Sequence, residues 1–140
     1  MRAGRMLSLA ALCASLAPAA AYACPVIDAA ARFAEGQMAT CAETLKGTAL
    51  NSCVGDALSG FSVGVKATPL KDVAARAPGP IEIVANQVRA ADKNGAASAL
   101  NRARSIVSGL AAQSGQESRV AYNRINQVFA RAIGVINAKG

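Results

Sequence analysis

The sequence predicts an all-α protein, a small antiparallel helical bundle of four longer helices plus one short helix. Three observations predict it. Beyond residue 24, apolar residues recur at steps of three and four, and no useful length alternates at the two-residue step of a strand. Alanine is abundant, and the periodic stretches are punctuated at Gly47, Ala77-Pro78-Gly79-Pro80, Asn94-Gly95 and Gln113-Ser114-Gly115. Cys41 and Cys53 stand six residues before and six after Gly47, each on an apolar stripe, where a helical hairpin would bring them together.

The chain opens with Arg2 and Arg5, a compact apolar run from Met6 to Leu16, and Ala21-Tyr22-Ala23. A charged start, an apolar run too short to span a bilayer and an A-x-A site predict a signal peptide over 1–23. Cys13 leaves with it. The remaining 24–140 suit one helical domain, because neither half could bury a core alone. It divides into a helical hairpin (24–66), a short helix with a Pro/Gly linker (67–80) and a basic helical half (81–140). The expected location is the bacterial envelope, periplasmic or secreted, where cysteines meet an oxidising environment.

The first helix spans 25–46, with the stripe Ile27, Ala30, Ala34, Met38, Cys41 and Leu45. Pro25 fits its start and Gly47 its stop. Thr48 suits the cap of a second helix that buries Leu50, Cys53, Val54, Ala57, Leu58 and Phe61. Within it Gly55, Gly60 and Gly64 either weaken the helix or admit a close neighbour. Thr68-Pro69 opens the short helix, which runs to about Ala77, and Ala77-Pro78-Gly79-Pro80 stops it. Pro80 then opens a helix with Ile81, Val84, Val88 and Ala91 on one face. The stripe changes phase at Asp92-Lys93-Asn94-Gly95, which predicts a break near Asn94-Gly95. Leu100, Ala103, Val107 and Leu110 follow, ending at Gln113-Ser114-Gly115. The last helix, 117–138, buries Ala121, Ile125, Val128, Phe129, Ala132 and Ile136.

Cys41 and Cys53 are expected to form a disulfide, with Ala42, Ala49, Gly55 and Ala57 small enough to let the two backbones approach. Cys24 is left over. It is either the first residue after ordinary cleavage or the lipidated cysteine of a lipoprotein. The residues before it match a lipobox in part: Ala23 fits, Tyr22 is bulky, and Ala21 stands where leucine is usual. Pairing of Cys24 with Cys41 is excluded, because a helix between them separates their ends by about 25 Å. Met38, Cys41 and Cys53 also form a lesser candidate set for Cu(I), although a disulfide and a core methionine account for the same residues.

The sequence has no histidine, which removes Ser–His and Cys–His nucleophile pairs and histidine-held zinc or haem. It has no phosphate-loop or dinucleotide glycine motif, and Glu35 and Glu43 lie too far apart on one helix to act as a pair. The expected function is non-catalytic, a binding or structural role without cofactor or metal.

The formal net charge is +7, and beyond the leader the basic surplus lies wholly in residues 81–140. Arg102 and Arg104 fall on opposite flanks of their stripe. Arg124 and Arg131 share a flank of the last helix, and Arg89 and Lys93 share an outward face. Arg89, Lys93, Arg124 and Arg131 are therefore the candidate anion-binding residues, for an anionic envelope component, lipid headgroup or acidic protein. Nucleic acid fits poorly, given few aromatics for stacking and an export signal. No run beyond residue 24 is long and apolar enough to span a membrane.

Overall fold

The computed structural model describes residues 18–139, with side chains for 25–138. Residues 1–17, and with them Cys13 and most of the expected leader, lie outside the described residues. Six helices form: α1 Pro18–Thr44, α2 Gly47–Lys66, α3 Lys71–Arg76, α4 Pro78–Ala90, α5 Lys93–Ala112 and α6 Gln116–Lys139. Among the described residues there is no strand. Four helices have 20 residues or more, as expected, but two are shorter: α3 with six and α4 with 13.

The helices close a ring in which α1 packs on α2, α2 on α4, α4 on α5, α5 on α6, and α6 back on α1. Short turns make α1–α2, α4–α5 and α5–α6 antiparallel, and α2 and α4, joined through α3, run antiparallel too, with Asn51 donating to the Ala91 carbonyl and Ser62 to that of Pro78. A ring of five then needs one parallel pair, and that pair is α1 with α6. The short α3 crosses one end, touching α2, α4 and α6. Met38, Leu50, Leu58, Phe61, Ile81, Leu100, Ile125 and Phe129 fill the middle with almost no exposure. The predicted stripes are the buried stripes, apart from edge positions such as Ala30, Cys53, Leu45, Ala91 and Leu110, which are partly covered. Ala31 and Tyr122, absent from those stripes, are fully buried.

Several boundaries differ from the sequence reading. Helix α1 runs through Pro25 and starts at Pro18. One lost N–H is tolerated within a strongly helix-forming alanine run. Helix α2 starts at Gly47 with Lys46 as its cap, so Thr48 lies inside the first turn. Gly47 takes a φ of +61°, the left-handed backbone that the tight α1–α2 turn requires. The Thr68 hydroxyl accepts a hydrogen bond from the Leu70 N–H at 3.4 Å, but α3 begins only at Lys71. The proline cluster does not interrupt the chain for long. Ala77 alone separates α3 from α4, and Pro78 sits at the start of α4, where a missing N–H costs nothing. The later break falls at Ala91-Asp92 rather than Asn94-Gly95, because the Asp92 carboxylate caps α5 by accepting from the Gly95 N–H at 2.7 Å.

Two glycines set the helix spacing. A Cβ at Gly64 would lie 2.6 Å from the Cβ of Ala30 on α1. A Cβ at Gly55 would lie 2.8 Å from the carbonyl oxygen of Ala85, so Gly55 admits α4 rather than α1. Gly60 meets nothing closer than 3.9 Å and plays no such part.

Candidate binding groove

The cysteine pair forms as the spacing predicted, with Cys41 and Cys53 bonded across the α1–α2 hairpin at a Cα–Cα distance of 5.9 Å. Cys41 is buried, and Cys53 is partly exposed. Just outside the bond lies a groove of about 690 Å³, wide open to solvent, with both cysteines in its lining. Arg32, Phe33, Gly36, Gln37, Thr40 and Thr44 form its α1 wall, and Asp56 and Ala57 face them from α2.

Phe33 decides the character of the groove. Its side chain is 68% exposed, the most exposed of the large apolar residues. It stands off the buried stripe of α1, with Arg32, Gly36, Gln37 and Thr40 beside it in the groove. The Thr40 hydroxyl donates to the Gly36 carbonyl at 3.1 Å and is turned back onto its own helix. Two charges flank the ring. Arg32 is paired through Nε with Asp28 at 2.8 Å, and Asp56 accepts from Arg89 at 3.3 Å. The lining can grip an apolar group and orient it with one charge of each sign. The sequence reading did not single out this groove. An aromatic outside the apolar stripe was the available signal.

The four candidate anion-binding residues do not come together. Arg124 lies between α6 and α1, donating to Asp28 at 3.0 Å and to both oxygens of Glu35 at 2.8 and 3.1 Å. The guanidinium is held above its ordinary pKa by these bonds, with Glu35 first, although burial pulls the other way. Arg89 reaches α2, donating to Ser59 at 2.8 Å and pairing with Asp56 and Glu82. Arg89 and Lys93 do not share a helix face, because the break at Ala91-Asp92 places them on α4 and α5. Lys93 and Arg131 are exposed and have no carboxylate partner among the described residues. Arg102 and Arg104 are exposed as well. Met38 is fully buried, and the sulfurs of Cys41 and Cys53 are bonded to each other, so Cu(I) ligation by this set would first require reduction. Cys24 falls within the backbone of α1, and its side chain lies outside the described ones.

A second polar cluster serves the fold. Tyr122 is fully buried, and its hydroxyl donates to Asp72 Oδ2 at 3.1 Å, tying α6 to α3. The Ser114 hydroxyl lies near the same oxygen but donates to the Leu110 carbonyl at 2.6 Å, and Arg76 pairs with the other oxygen at 3.0 Å. Burial, and then the bond to Asp72 and its charge, push the phenol up to about 12 from 10.0. The folded state therefore holds this proton more tightly than the unfolded chain does. The stabilisation is complete below pH 10 and disappears as pH rises through about 12. Alkaline titration should cost wild type about 2 kcal/mol more than Tyr122→Phe across this window. Urea unfolding at successive pH values measures the difference, and parallel curves for the two proteins would refute it.

The fold and groove define a class, an all-α disulfide-pinned bundle with an open surface groove. Comparison with protein-family models, curated proteins and solved structures gives no match.

Proposed function

We propose that this chain is an exported, non-catalytic binding or structural protein of the bacterial envelope. The observation that carries the reading is the groove beside the disulfide, where an exposed aromatic stands on a covalently pinned hairpin. A rigid support holds a contact surface in place at little entropic cost on binding. The leader sequence supports export, and an oxidising compartment suits the cysteine pair. Cleavage after Ala23 would leave Pro25 in the first turn of α1, where its missing N–H is harmless.

A second reading is a lipoprotein tethered through Cys24, with a basic face for an anionic membrane or partner. Ala30 packs beside Gly64, and α2 ends two residues further on, at Lys66. Residue 24 lies six residues before Ala30, about 9 Å along the axis, and so reaches past the end of α2. Exposed Lys66 and Lys71 lie at that end of the bundle. Cu(I) handling by Met38, Cys41 and Cys53 is the least supported reading.

The test is the intact mass of the protein from its native host, alkylated without reduction. A chain beginning at Cys24, short by two hydrogens and bearing one alkylated thiol is the expected result. An acylated diacylglyceryl group on Cys24 would establish the lipoprotein instead. An unprocessed chain with reduced Cys41 and Cys53 would overturn both.

A further inference from the structure

We propose that the groove between α1 and α2 is where two copies of this chain associate as a two-fold dimer, an inference that rests on the binding role proposed above. Phe33 is 68% exposed, and beside it Gly36 leaves open space, with no heavy atom within 4 Å of where a Cβ would stand. An apolar ring next to an unfilled position is both a knob and the hole for a knob. A single copy offers both, and a two-fold axis uses both twice.

The charges commit the partner. Arg32 and Asp56 both line the groove, and their side chains are 65% and 73% exposed. Each is anchored inward by one end. Asp28 takes the Nε of Arg32, and Arg89 takes one oxygen of Asp56. Among the described residues no hydrogen bond engages the terminal nitrogens of Arg32 or the second oxygen of Asp56. A partner of one charge sign would satisfy one of them and repel the other. A second copy, turned about a two-fold axis, sets Arg32 against Asp56 at both ends and brings the two Phe33 rings together between them. The disulfide keeps both walls in register before association, which lowers the ordering cost.

Sedimentation equilibrium of the processed, oxidised protein tests this over a range from about 1 µM to about 1 mM, the span in which weak protein dimers dissociate. Wild type should show a concentration-dependent monomer–dimer equilibrium. Phe33→Asp should weaken it at least about thirtyfold, as loss of a central aromatic anchor does. Arg32→Glu and Asp56→Arg should each weaken it, and the two together should recover most of the affinity. Phe33 is outside the core, so its variant should melt like wild type. If a charge variant fails to fold, Phe33→Asp alone decides. A protein monomeric throughout the range, including one whose groove takes up an amphipathic peptide instead, overturns the dimer. So does a dimer indifferent to Phe33→Asp. A monomer of correctly processed, oxidised protein refutes this inference and leaves the export reading standing, whereas dimers of an unprocessed chain do the reverse.

Discussion

Breaking the Cys41–Cys53 bond, by reduction or as Cys41→Ala/Cys53→Ala, should destabilise the protein by about 3 kcal/mol while leaving its helical content intact. The bond spans a sequence separation of 12. A closed loop of that length removes about 3 kcal/mol of conformational freedom from the unfolded chain, on the chain-entropy account. The native helices do not depend on it for their shape, because α1 and α2 are also held at Gly64 against Ala30 and by the buried stripes on either side. The melting temperature should fall by roughly 10 °C for a domain of this size. Thermal unfolding followed by circular dichroism, oxidised against reduced, makes the measurement. Reduced and double-alanine proteins should agree closely, since Cys41 is buried and alanine leaves only a small void. Equal melting temperatures with and without the bond would show that the hairpin is already closed in the unfolded ensemble. The effect should be large relative to total stability, because alanine buries little area and the core is thin.

Much of this architecture is legible from periodicity. The stripe Leu50, Val54, Ala57, Leu58 and Phe61 is buried, as are Ile81, Val84 and Val88, and the same holds from Ala121 to Ile136. Burial of one helix face imposes that pattern directly, so it can be read back. Cys41 with Cys53 is legible for a related reason, since equal distances from one turn residue meet in an antiparallel hairpin. The junction at Ala77 was less so. Proline both ends and begins helices, and the Ala77-Pro78-Gly79-Pro80 cluster begins one almost where it ends another.

The surface was harder to read, because charge in a sequence does not say which charges are already matched. Arg124 looks like a free cation, yet its partners lie 89 and 96 residues away, and Arg89 pairs with Asp56, 33 residues away, as well as with Glu82 on its own helix. Phe33 shows the opposite failure. A lone aromatic off a stripe gives little periodic signal, although that isolation is what leaves it exposed beside the groove. Tyr122 went unnoticed because its polar tip obscured a position that is wholly buried. The hydroxyl at Asp72 is what makes that burial affordable.

Arg124→Met should cost about 2–3 kcal/mol, more than a surface ion pair would. Arg124, Glu35 and Asp28 are 20%, 22% and 28% exposed, so the cluster is partly withdrawn from water. Asp28 keeps Arg32 after the substitution, at 2.8 Å, whereas Glu35 loses the guanidinium that both its oxygens accept from. The main cost is thus a half-buried carboxylate left without a partner. Arg124→Met/Glu35→Gln should therefore be more stable than Arg124→Met alone, although it carries one more substitution. Urea unfolding of wild type, both single variants and the double variant gives the coupling energy. A double variant no better than the sum of the singles would mean that the bidentate pair contributes only packing. In 0.5 M NaCl the pair should keep most of its effect, since screening reaches withdrawn charges weakly. The position of the pair explains its weight. Helices α1 and α6 are the parallel neighbours that close the ring, and no short loop holds them together. The other ring neighbours follow one another along the chain, by a turn or through the short α3, while this seam joins residues 89 and 96 apart in sequence. Apolar stripes alone can slide along a parallel seam. A guanidinium fixed by Asp28 on one side and by both oxygens of Glu35 a few residues on sets the register of α6 along α1, and with it the closure of the bundle.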